Sequence, residues 1–147
     1  MLNINRKRYE AFWNGDAYER FCFHLSVRKN EPFYETDLNS RWEDAAYRVK
    51  KELHIINNST YLADGFPAVF TNYGPGCLAA CIGGTYKWQE NTVWFDNKQI
   101  ITDWDNPPEI KLDRTSNMYR FVEDLTHEFL AHKDEFATSI TDIGGTY

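Results

Sequence analysis

Apolar residues recur along this chain in helical stripes separated by shorter extended runs. Tyr9, Phe12 and Trp13 stand at i, i+3 and i+4, and Gly15 falls where a left-handed residue closes a helix. Arg6 and Glu10, four apart, are placed to pair on the outer face of that helix. A second stripe, Trp42, Ala45, Ala46, Val49, Leu53 and Ile56, predicts one helix from about Ser40 to Ile56. Ser40 and Glu43 form an S-x-x-E capping box at its start. Met118, Phe121, Val122, Leu125 and Phe129 predict a third helix, over about Ser116 to His132.

The extended runs read differently. From Arg20 to Arg28 the pattern alternates, with Phe21, Phe23, Leu25 and Val27 on one side and Cys22, His24, Ser26 and Arg28 on the other. Phe66 to Tyr73 predicts a strand that tolerates Pro67 near its beginning. Gly74-Pro75-Gly76 ends it, and a small-residue helix from Cys77 to Ile82 follows until Gly83-Gly84. Thr92 to Phe95 and Gln99 to Thr102 flank Asp96-Asn97-Lys98 as a hairpin. Pro107-Pro108 excludes helix, and Phe136 to Thr141 predicts a last strand that delivers Asp142 into a loop. Strand and helix alternate, so the expected class is α/β with some parallel pairing and a hairpin insertion.

Composition narrows the setting. The 147 residues, without a repeat or linker, form a single unit (1–147) long enough to bury a core. No apolar run reaches the length of a membrane span. Met1 to Arg6 lacks the apolar segment of a signal peptide, so a cytoplasmic location is expected, with Cys22, Cys77 and Cys81 as reduced thiols. A formal charge of −6, from 16 basic and 22 acidic residues, argues against nucleic acid. Arg6-Lys7-Arg8 reads as a solvated helix face.

Few residues carry obvious chemistry. His127-Glu128 and His132 are spaced five apart, which turns the two rings about 140° from each other, so a zinc-protease face is rejected. Gly74-Pro75-Gly76-Cys77-Leu78-Ala79 matches G-x-G-x-x-A, with Asp96 about twenty positions on. A tight strand-to-helix turn explains those glycines better than a dinucleotide loop, although a helix start at a strand end also suits an anion. Cys77 and Cys81 do not close a zinc site by themselves and read as buried small residues. The polar side of the first strand either lines a cavity or lies at an exposed edge. Asp142, before Gly144-Gly145, is either a ligand-holding acid or a helix cap, and spacing leaves both open.

Several pieces occur in a familiar order. Arg8-Tyr9-Glu10-Ala11-Phe12-Trp13-Asn14-Gly15 comes first, then the Phe66-Pro67 strand and Asn72-Tyr73-Gly74-Pro75-Gly76. Ala79-Ala80-Cys81-Ile82-Gly83, Asn91-Thr92-Val93-Trp94, Asp103-Trp104-Asp105 and Thr141-Asp142-Ile143-Gly144-Gly145 complete the series. In this order the chain resembles the N-terminal part of the uroporphyrinogen decarboxylase-like superfamily, nearer its corrinoid-dependent methyltransferase branch. The resemblance implies the N-terminal portion of a (β/α)8 TIM-type barrel, with N-terminal helices and a β-hairpin insertion.

A barrel of that kind takes roughly 250 residues, so the resemblance implies an incomplete barrel, with strands near residues 21–27, 66–72 and 136–141. Such a fragment is expected to be inactive and to self-associate through exposed strand edges. Corrinoid and zinc would belong to the full-length parent, whose partners would be a small-molecule substrate or a corrinoid protein. The zinc-binding His and Cys of the methyltransferases lie in the later half of the barrel. The decarboxylases carry an R-Q-A-G-R loop where this chain has Val27-Arg28-Lys29-Asn30-Glu31, so their carboxylate grip does not carry over. Asn72, Tyr73, Gly74 and Asp142 match as strand-end, cavity-facing positions, and His24 and Arg28 join them from the polar side of the first strand. No catalytic residue or metal ligand is assigned. The contrasting expectations are a self-contained α/β module that binds a ligand or partner without catalysis, a nucleotide domain using the Gly74 loop, and a uroporphyrinogen decarboxylase.

Overall fold

The computed structural model describes residues 6–16, 20–96 and 99–141. Helix α1 (Arg6–Asn14) ends where expected: Gly15 takes φ +74°, and Asp16 N–H closes back on the Ala11 carbonyl at 2.8 Å. Its apolar stripe is not its buried face. Phe12 and Trp13 are exposed, whereas Arg8, expected in solvent, is buried against Asp64. The inward carboxylate of Asp64, invisible to periodicity, draws Arg8 in, while Tyr9 of the stripe still packs on Phe66.

The helix expected over Ser40–Ile56 is two, α2 (Leu38–Glu43) and α3 (Ala45–Asn57). Asp44 breaks them by leaving helical geometry (ψ 100°) and capping α3 through Tyr47 N–H at 3.0 Å. The Ser40–Glu43 box does not form. Asp37 caps α2 by accepting from Ser40 N–H at 3.0 Å, and Glu43 accepts instead from the indole N–H of Trp88 at 2.7 Å.

Strand β1 (His24–Arg28) pairs antiparallel with β2 (Ser59–Ala63), which follows α3 directly. The short parallel pair is β3 (Ala68–Val69) with β6 (Ala137–Thr138). Between them run α4 (Cys77–Cys81), the hairpin β4 (Tyr86–Trp88) and β5 (Val93–Phe95), and α5 (Asn117–Ala131). The hairpin expected from Thr92–Phe95 with Gln99–Thr102 is corrected here: Val93–Phe95 pairs backwards with Tyr86–Trp88, while Gln99–Thr102 forms no strand. Gln89 N–H bonds the Thr92 carbonyl at 2.9 Å across its turn. Helix α4 stops at Gly83 (φ +108°), with Gly84 N–H reaching the Ala79 carbonyl.

The class is therefore mixed α/β, built from three two-stranded sheets with no closed barrel among the described residues. The first expected strand does not join the other two; the chain returning from α3 supplies it with an antiparallel partner instead. The core lies where α3 and α5 pack over β3 and β6, with Leu125, Phe129, Phe136 and Met118 essentially sealed from solvent. Thr71 is buried there too, and its hydroxyl meets that of Thr126 at 3.2 Å. No described helix is long and apolar enough to cross a membrane.

Candidate functional site

Parallel strands conventionally place ligands at their carboxyl ends. Here that end carries Asn72 and Tyr73 after β3, and Ser139 after β6. Asn72 is exposed, and its side-chain oxygen accepts from Gly74 N–H at 2.8 Å, which shapes a turn that Gly74 completes at φ +83°. Tyr73 is 2% exposed. Its ring packs on Phe121 (6.2 Å between centroids) and Trp88 (6.1 Å), and its hydroxyl makes no hydrogen bond of good geometry. Burial pushes its phenol above the usual range, while the charge of Arg48 pulls the other way.

Arg48 organises the site, and no sequence pattern singled it out. Its guanidinium lies 4.5 Å from the Tyr73 ring centroid and 5.7 Å from that of Trp42, and it donates to the Asn72 carbonyl at 3.0 Å. Trp42 in turn stacks on Trp88 at 5.3 Å and 6°, and its indole N–H donates to the Gln89 carbonyl. An aromatic wall from α2 and β4 thereby holds a cation beneath the strand-end turn. The only hint in the sequence was the density of aromatic residues.

The other expected site residues lie apart. His24 and Arg28 are on β1, where all five residues are exposed; the His24 ring meets Phe66 edge-on at 5.2 Å. No described contact joins them to Asn72 or Tyr73. Asp142 and the glycines after it lie outside the described residues.

At the glycine-rich turn, the Phe95 ring covers Gly76, where a Cβ would come within 2.4 Å of its Cγ. Asp96, the nominal ribose acid, accepts instead from the Thr85 hydroxyl at 3.0 Å. The turn serves packing. His127 is exposed, while His132 pairs with Glu135 at 2.6 Å and stacks on Phe136, so the two histidines do not converge. Among the described residues no group of three or more His, Cys, Asp or Glu is placed to hold a metal ion.

A second polar cluster was not anticipated. Asp64, 4% exposed, pairs with Arg8 at 2.9 Å and Arg20 at 2.6 Å and accepts from Phe23 N–H at 3.0 Å. Tyr9 donates to its backbone carbonyl at 2.6 Å. Burial pushes the Asp64 carboxyl up, but the Phe23 bond and the two arginines outweigh it and hold it below the ordinary range. The neighbouring Ala63 takes φ +56°, so the turn that aims Asp64 inward carries backbone strain. The cluster fastens α1 to the β1–β2 hairpin and is structural.

Comparison of the chain with protein-family models, with curated proteins and with solved structures returns no match.

Proposed function

We propose that this chain is the N-terminal part of a uroporphyrinogen decarboxylase-like barrel enzyme, whose parent transfers a methyl group in corrinoid-linked chemistry. One observation supports the reading: β3 and β6 are parallel, joined through a crossover that contains α5, and covered on one face only. Val69, Thr71 and Phe136 face the helices, while Ala68, Phe70 and Ser139 are open to solvent. Parallel sheets are covered on both faces in α/β proteins. In the proposed parent the uncovered side of this pair would face the barrel interior.

In this reading Asn72 and Ser139 sit at the catalytic mouth. Asn72, exposed at the turn, is the residue that would offer its amide to a substrate oxygen, while Arg48 and Tyr73 hold the turn from beneath. Zinc has no ligand set among the described residues, so no step is assigned to it. The fragment itself has no turnover.

Sedimentation velocity across a wide concentration range tests this. Association that grows with concentration, with dye binding to exposed apolar surface, is expected. A cooperative monomer that binds no such dye overturns the proposal and leaves the self-contained module.

A further inference from the structure

A cleft of about 160 Å³ opens between the α2–α3 elbow and the β4–β5 turn, and shares Arg48 with the strand-end turn. It is lined by Arg41 and Trp42 of α2, by Arg48, Lys51 and Glu52 of α3, and by Glu90 and Asn91 of the β4–β5 turn. Arg41 is already engaged, to Glu35 at 2.9 Å and to the Thr36 carbonyl at 3.1 Å. The other charged heads are not neutralised in this way. Among the described residues no ion pair joins Lys51, Glu52 and Glu90 across the cleft, while Arg48 is held by the Asn72 carbonyl and the Tyr73 ring.

Opposite charges close together normally collapse onto one another. Here the helix fixes Lys51 and Glu52 on adjacent positions that point apart, and Glu90 approaches from a different element. The cleft therefore offers cations and carboxylates that are not paired with one another, with Trp42 also in its lining. A free anion would meet Glu52 and Glu90, and a free cation would meet Lys51 and Arg48. Only a molecule with both signs is matched at each point.

We propose that this cleft binds a small zwitterion of amino-acid size, its carboxylate on Lys51 and its ammonium on Glu52 and Glu90. Arg48 lends its charge from below while its own N–H remains with Asn72, and the Asn91 amide supplies a neutral contact. Glu52 is the more deeply set of the two carboxylates; burial raises its pKa against the pull of Arg48, Lys51 and Arg28. The inference is independent of the barrel reading.

The test is an NMR titration of the chain with β-alanine, propionate and propylammonium, three-carbon probes that carry both charged groups, the carboxylate alone and the ammonium alone. β-Alanine is expected to saturate with shifts confined to the cleft, including the Trp42 indole. It should bind about tenfold or more tighter than either single-charge probe, since each lacks one charge-assisted contact. Lys51→Met and Glu90→Gln, both at accessible positions, should each reduce β-alanine to the level of the single-charge probes. Equal binding of propionate would make this an anion site and overturn the proposal. So would the absence of saturable shifts at about 50 mM probe, a weaker affinity than any specific site would show.

Discussion

The guanidinium of Arg48 lies 4.5 Å from the ring centroid of Tyr73, which makes a helix residue the support of a strand-end turn. Arg48→Met removes a cation–π contact and the bond to the Asn72 carbonyl, at a cost of about 1–2 kcal/mol. Removing that charge also takes away what holds the Tyr73 phenol down against burial. Its titration, followed by ultraviolet difference absorbance, should therefore move to higher pH than in the parent chain. A stability loss without that movement would show that Arg48 acts through packing alone.

Asp64 gives the chain an acid-sensitive fastening. Its folded pKa is depressed, so it contributes stability above the unfolded carboxylate range of about 3.9, and that contribution is lost as pH falls through the folded value. Urea denaturation across acid pH should show this loss in the parent. Asp64→Asn should be less stable near neutrality and flatter below about pH 4. An unchanged acid slope would assign the effect to other carboxylates.

Leu125 is fully buried where α5 meets the core. Leu125→Ala should cost about 2–5 kcal/mol, read from urea or thermal unfolding. A cost below about 1 kcal/mol would mean that the core is loosely packed at its centre.

Phe70, on the uncovered face of the parallel pair, and Ile140, just past its end, are 43% and 93% exposed. Phe70→Glu and Ile140→Glu together should lower self-association seen by sedimentation and leave unfolding free energy nearly unchanged, because neither side chain belongs to the core. Undiminished association would move the contact to the apolar side of β1 and the residue before it, where Phe23, Leu25 and Val27 are also exposed.

The sequence was most legible where a periodic stripe met a sharp stop. Helix α5 with its Ser116 cap and α4 with its glycine terminator match the expected bounds closely, because each rests on local chemistry. It was least legible where a distant partner decides. Asp44 fits a helical pattern as well as it caps one. The pairing of Val93–Phe95 depends on Tyr86–Trp88, whose apolar content is no stronger than that of Gln99–Thr102. Strand β2 was missed because it begins two residues after a helix ends. At the candidate site, Asn72 and Tyr73 came from a resemblance, and Arg48 came from neither pattern nor motif. A cation seated on aromatic faces leaves no trace in linear spacing.

The pairing of Ala68 with Ala137 joins positions about 70 residues apart. During synthesis β1, α3 and β2 are complete long before Phe136 leaves the ribosome, so the hairpin and the α2–α3 elbow wait with their core face open. Closing so long a loop is slow, and the antiparallel parts offer no local substitute for it. Strand β6 is thus a latch: Phe136 can take its place in the core only once the residues beside it are available to pair with Ala68 and Val69.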